Sequence, residues 1–189
     1  MQSTLLLLTL GAGVAFSAPL LAERQSACFV IGNTALPAEV ATVVTNIGDR
    51  ITCDFSSKTL SGVPDVSSGD VSFSSVNFAT SSQTPLAFAL SEFATKIPLA
   101  SSDLATFQNQ LDVYLATEAG IRSVSGNLAI KVPKFFLQFQ VSRIQTAQGN
   151  PPAAAGLQVD HLRDKVLKNA ASESKALLDQ VTALAKVLA

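Results

Sequence analysis

The chain has 189 residues, 48% of them hydrophobic and only 14% charged, which is enough for one compact domain and well below the roughly one-quarter charged content of typical globular proteins. That excludes a disordered, highly charged chain, which stays unfolded because it cannot bury enough apolar surface. Thirteen basic and fourteen acidic residues give a formal net charge of −1, so the basic excess with which nucleic-acid binders displace counterions is absent.

The first element is an apolar run from Leu5 to Phe16. Its length suits the core of a signal peptide and falls short of the ~20 residues that span a bilayer. Ala15-Phe16-Ser17 supplies the small residues of a cleavage site, so residues 1–17 read as a signal peptide; the rival is a buried N-terminal helix. A secreted chain with two cysteines pairs Cys28 with Cys53, closing a loop that contributes ~3 kcal/mol in the chain-entropy model. The alternative is two reduced, buried thiols. The charged residues Asp179 and Lys186 interrupt the C-terminal apolar stretch, unlike a lipid-anchor signal, and no Asn-x-Ser/Thr sequon occurs. The expected location is extracellular, the cell wall included, with no spanning segment.

Val40, Val43, Val44 and Ile47 recur at helical spacing, with Pro37 suited to the first helical position and Gly48 to a left-handed residue past the end. Residues 55–84 turn Ser/Thr-rich. Within them Val71 and Phe73, then Val76 and Phe78, alternate with polar residues, which reads as two short strands or as an extended loop pinned by the two Phe. The hydroxyls there are also acceptors for O-linked sugars. Thr84-Pro85 opens a second helix whose stripe of Leu86, Leu90, Phe93 and Ile97 is ended by Pro98. Ser102 caps a third, with Asp103 in its first turn, Leu104, Phe107, Leu111 and Tyr114 or Leu115 inward, and Gly120 closing it.

Between Pro133 and Gln148, Phe135, Leu137, Phe139 and Val141 alternate as in a strand, while Val132, Phe135, Phe136, Phe139 and Ile144 share a broad helical face. The span between Pro133 and Gly149 suits a helix better than a strand of ~5–6 residues. Residues 151–156 are a Pro/Ala linker. From Val159 to Leu188 an amphipathic pattern predicts one long helix with a soft middle at Ser172-Glu173-Ser174 and a mixed-charge outer face. The whole predicts a mainly α fold: a bundle of about five helices with an irregular or short β Ser-rich insertion and one disulfide, in a single domain over residues 25–189.

The residues offer little chemistry. His161, the one histidine, lies three residues before Asp164 but lacks a nucleophile from elsewhere and the further ligands of a zinc site. Ser172-Glu173-Ser174-Lys175 matches an S-x-x-K element without the companion motifs of that chemistry. Asp65 and Asp70 fall short of calcium-loop spacing. No catalytic residue, metal ligand or cofactor is therefore expected. What stands out is apolar: eleven Phe beside one Tyr and no Trp, with Phe135, Phe136 and Phe139 crowded together. They are either core or the lining of a cavity or surface for a lipid-like ligand.

The stretch Ala18-Pro19-Leu20-Leu21-Ala22-Glu23-Arg24-Gln25 resembles the short pro-segments of secreted fungal proteins, which implies removal of residues 18–24. Together with Ala27-Cys28-Phe29-Val30-Ile31-Gly32-Asn33 and Lys131-Val132-Pro133-Lys134-Phe135-Phe136, it makes the chain similar to small secreted proteins of filamentous ascomycete fungi, a group catalogued as candidate effectors. In architecture alone it resembles fungal hydrophobic-surface-binding and cell-wall mannoprotein domains, helical bundles that hold lipids or coat apolar surfaces. The resemblance implies a non-enzymatic protein acting outside the cell through an unknown protein or cell-surface partner; the alternative is a binding module for lipid-like ligands or hydrophobic surfaces. A small hydrolase built around His161 ranks last.

Overall fold

The computed structural model describes residues 27–188; the signal-peptide and pro-segment readings lie outside them. The elements in chain order are α1 (Ala38–Ile47), a three-stranded sheet of β1 (Thr52–Lys58), β2 (Pro64–Ser68) and β3 (Val71–Ser72), then α2 (Pro85–Glu92), α3 (Leu104–Ser123), α4 (Lys131–Ala147), α5 (Val159–Asn169) and α6 (Lys175–Leu184). The fold is mainly α, as the pattern predicts, with six α-helices among the described residues. None is long and apolar enough to cross a membrane.

Helix α3 is the hinge of the packing. One side lies on α1, β2 and β3, and another meets α4, which in turn carries α2 and α5; α6 packs on α5. A single cluster of buried apolar residues runs from Phe29 to Ala185. The Phe content is largely accounted for there. Phe73 and Phe93 meet Tyr114 edge-on with ring centroids 5.1 and 5.7 Å away, and Phe88 meets Phe93 at 5.9 Å, the geometry that aligns the positive edge of one ring with the negative face of the next. The Tyr114 hydroxyl donates to the carbonyl of Val76 at 2.6 Å, so its polar tip is satisfied inside the core.

The Ser/Thr-rich segment does contain strands, but not where alternation puts them. β1 and β2 run antiparallel, with Cys53 opposite Val66 and a register irregularity between Asp54 and Lys58. β2 returns to β3 through Gly69-Asp70, where Gly69 has φ 53°, the backbone that a two-residue hairpin loop requires and that glycine adopts without a Cβ penalty. Of the anticipated strand residues only Val71 lies in a strand; Val76 and Phe78 lie in short 3-10 turns whose side chains feed the Tyr114 cluster. The Cys28–Cys53 disulfide forms, with an S–S distance of 2.06 Å and a sequence separation of 25. It ties the first described residues to β1.

Helix boundaries depart from the pattern in ways that packing explains. Gly48 follows α1 and donates its amide to the Val44 carbonyl, but it is right-handed, φ −51°, and continues into a 3-10 turn, so the expected left-handed cap does not form. α2 ends at Glu92; Ile97 is 98% exposed rather than on its inner stripe. Asp103, not Ser102, caps α3, accepting from the amides of Ala105 and Thr106 at 3.1 and 3.4 Å. Ser102 is buried, and its hydroxyl accepts from the Lys96 amide at 3.0 Å. Gly120 does not close α3, which continues to Ser123. A Cβ at Gly120 would lie 2.5 Å from the Phe29 carbonyl oxygen and 2.7 Å from a Val63 methyl, so this glycine lets two segments approach the helix. α4 is a helix as expected, but it runs from Lys131 to Ala147, starting two residues before Pro133, with Gly149 left-handed beyond it, φ 80°. The long C-terminal helix is two helices. The break falls at the soft middle, where Glu173 accepts from the Leu86 amide at 3.2 Å and so serves the open first turn of α2.

Candidate functional site

A cavity of about 500 Å³ opens between α2, α4 and α6. Its walls are aliphatic: Leu90 from α2, Leu99 from the turn before α3, Ala183 and Leu184 from α6. At its mouth stand Ile97, 98% exposed, and Val187, 54% exposed, two large apolar side chains left in water on either side of the opening. The residues that build the walls are placed by the helix period: Leu90 and Leu184 lie at the edges of stripes whose centres, Leu86 and Val181, face the core.

The polar lining comes from α4. Gln140 and Arg143 are each 1% exposed. Gln140 donates from Nε2 to the carbonyl of Phe93 at 2.8 Å, anchoring the end of α2, and its Oε1 accepts from Arg143 Nη1. Arg143 Nη2 donates to the Val187 carbonyl at 2.9 Å. Arg143 Nε is buried without a hydrogen-bond partner. The guanidinium lies 5.5 Å from the centroid of Phe139, an attraction to the ring's negative face. None of the six ion pairs among the described residues includes Arg143. A buried cation met only by neutral partners is poorly solvated, and burial lowers the Arg143 pKa to about 10, which still leaves it charged at neutral pH.

The three Phe singled out by the sequence part company. Phe136 and Phe139 are fully buried in the core, their centroids 6.0 Å apart; Phe139 bears on the cavity only through Arg143. Phe135 is half-buried and lines a separate hollow with Val40, Val43 and Leu115 and the charged Glu118, Arg122, Lys134 and Lys165. There the Lys134 ammonium sits 3.6 Å from the Phe135 ring centroid and 3.0 Å from Glu118 Oε2. Phe135, Phe136 and Phe139 therefore do not form one apolar lining. Gln140 and Arg143, absent from the sequence-based site, carried a readable signal. Arg143 stands four residues after Phe139 and seven after Phe136, a polar group set on the buried stripe of the helix.

The other candidates do not assemble. His161 is exposed on α5, and its acidic neighbours Asp160 and Asp164 are both held by Arg163. Asp65 accepts from the Ser74 amide at 2.9 Å, while Asp70 points into solvent. Lys175 of the S-x-x-K stretch pairs with Asp179 on the surface of α6. Among the described residues no three His, Cys, Asp or Glu side chains gather as a metal-holding group.

Fold and cavity define a disulfide-tied, mainly α protein with an aliphatic pocket floored by an arginine. Residues 30–189 match the model of a family described as a domain of unknown function, DUF7143, and the chain belongs to that family. No curated protein and no solved structure matches it.

Proposed function

We propose that this is a secreted, non-enzymatic binding protein that holds a lipid-like ligand between α2, α4 and α6. The observation that carries the reading is the cavity itself, about 500 Å³ with aliphatic walls and two polar side chains in its lining. Small-molecule sites have this character: volumes of roughly 300–1,000 Å³, mostly apolar, with a few placed polar groups. Secretion is supported by the apolar run at residues 5–16 and by a formed disulfide, a bond that persists in oxidising compartments. The fungal candidate-effector assignment rests on the resemblance of the Ala18–Gln25 and Lys131–Phe136 stretches.

A partner protein is the second reading, favoured by one feature. Among the described residues β1 is an edge strand, paired only with β2, and Phe55 on it is 62% exposed. An open edge with an aromatic side chain is a template for strand addition.

The ligand reading is tested by displacement of a fluorescent apolar probe from purified protein, with Ala183→Trp as the blocking variant. Ala183 is exposed on α6 and lines the cavity, so a bulky ring there fills the opening and leaves the core intact. Saturable uptake by the native chain, lost in A183W with an unchanged circular dichroism spectrum, is the expected result. Failure of the native chain to take up any apolar probe overturns the reading.

A further inference from the structure

The cavity pairs an aliphatic wall with a buried positive charge that meets no anion among the described residues. We infer that its ligand is an anionic amphiphile whose carboxylate head is bound by Arg143, with Gln140 holding the guanidinium in place and the apolar tail lying along Leu90, Leu99 and Leu184. The inference rests on the apolar-ligand reading of the same cavity and adds the chemical class of the head group.

The guanidinium carries five N–H donors. In this structure Nη1 donates to the Gln140 amide oxygen and Nη2 to the Val187 carbonyl, while Nε has no acceptor. Both acceptors are neutral. A buried charge is ordinarily paired, because its lost hydration is otherwise uncompensated. The chain does pair its other buried cation: Lys134, 7% exposed, lies 3.0 Å from Glu118. At Arg143 the complementary anion is missing from the pairs the described residues make, and the side chain lies in the lining of a cavity large enough for a ligand.

The chemistry selects a carboxylate. A planar guanidinium presents two parallel N–H donors that match its two oxygens, and charge-assisted bonds of this kind are about twice as strong as neutral ones. A ligand carboxylate that takes Nη2 from the Val187 carbonyl replaces a neutral acceptor by an anion, and a shift of the guanidinium, whose Nε is closed off in this structure, brings the second oxygen to the orphan donor. Gln140 is the positioning residue. Its amide bonds both the guanidinium and the Phe93 carbonyl at the end of α2, which restrains the fork relative to the wall that the tail contacts. Ile97 and Val187 at the mouth give the tail apolar surface on the way in.

The test compares dodecanoate with dodecan-1-ol, which share a chain and differ in head group, by isothermal titration to the full-length secreted protein at neutral pH. The acid is expected to bind at least tenfold tighter than the alcohol. In Arg143→Met this preference disappears, because acid binding falls to the level of the alcohol while alcohol binding is retained. The comparison on the native chain stands by itself if R143M does not fold. Equal affinities for acid and alcohol overturn the carboxylate inference and leave the apolar-ligand reading in place. A preference that persists in folded R143M overturns it too, transferring the head group to another cation such as Lys96, which also lines the cavity. If neither compound binds, both readings fall.

Discussion

Glu118→Gln is expected to destabilise the fold by about 3 kcal/mol, and a second substitution, Lys134→Met, to restore much of the loss. Glu118 is 3% exposed and Lys134 7%. One carboxylate oxygen lies 3.0 Å from Lys134 Nζ, and the other accepts from Arg122 at 2.8 and 2.9 Å. At an effective dielectric of about 20, a pair this close attracts by roughly 5 kcal/mol, and removing one partner of a buried pair typically costs 3–5 kcal/mol. A ceiling follows from the lysine. An ammonium left without its anion sheds its proton, and for a lysine of unperturbed pKa ~10.4 neutralisation at pH 7 costs about 4.6 kcal/mol. The relief of burying one charge fewer offsets part of this, which gives the figure of about 3.

The assay is urea unfolding followed by circular dichroism, for the native chain, E118Q, K134M and the double variant. Arg122, the more exposed member, turns toward water when the carboxylate is gone. The double variant should therefore be more stable than E118Q alone. The pH dependence supplies a second reading. Burial already lowers the Lys134 pKa, with Glu118 opposing it, and removal of Glu118 lowers it further. Between the folded pKa and ~10.4 the unfolded chain then binds more protons than the folded one, so the stability of E118Q rises with pH across that window. A loss under about 1 kcal/mol, or a double variant less stable than E118Q, would falsify the claim that this pair is desolvated and mutually dependent.

Gly120→Ala reverses the usual sign of a glycine replacement in a helix: the gain of ~1 kcal/mol in propensity is outweighed by overpacking of ~1–3 kcal/mol, since the new methyl meets the Phe29 carbonyl and both Val63 methyls within 2.8 Å. A lowered urea midpoint is the expected outcome, and a raised one contradicts the close approach. Tyr114 is the one tyrosine of the chain, so tyrosinate absorbance reports it alone. Burial raises its pKa far above the ordinary value, so the folded chain holds its phenol proton where the unfolded chain releases it, and stability attributable to Tyr114 declines as pH rises past ~10. Absorbance should stay flat until alkaline unfolding and then rise with the loss of circular dichroism; a smooth titration near pH 10 in folded protein contradicts the burial.

The sequence was most legible where one face of one helix settled the matter, and least where packing from elsewhere overrode local pattern. Gly149 lies just past α4 as its chemistry dictates, and Pro133 falls within the first turn, where its missing N–H removes no helical bond. Alternation at Val71–Phe78 resembles a strand, yet Phe73 and Phe78 are consumed by the ring cluster around Tyr114, and the true hairpin signal is Gly69-Asp70, a two-residue loop between β2 and β3. Gly120 has the look of a helix stop; its meaning comes from Phe29 and Val63, distant in sequence and adjacent in space. Ile97 continues an apolar stripe by spacing, but α2 has ended five residues earlier at Glu92, so the stripe has no helix to sit on. Phe135, Phe136 and Phe139 lie on the helix that also lends Gln140 and Arg143 to the cavity. Aromatic density marks a core as readily as a pocket.

The distinction that separates core from site on α4 is charge compensation. Lys134 and Arg143 lie on one helix, both nearly inaccessible, and both are pushed toward neutrality by burial. Lys134 faces a carboxylate supplied by α3, together with the ring of Phe135, and so reads as a fastening between two helices: its replacement is felt in stability. Arg143 faces a glutamine, a carbonyl and the ring of Phe139, which orient it and, among the described residues, leave its charge unanswered. A residue of that kind costs stability in the free protein; Arg143→Met removes that cost while leaving the Gln140 amide oxygen and the Val187 carbonyl without their donor, so the net change in stability should be small. Such a burden is intelligible if the missing anion arrives with a ligand. Binding is then expected to fall at Arg143 with little change in stability, and at Lys134 the two move together only to the extent that unfolding abolishes the cavity.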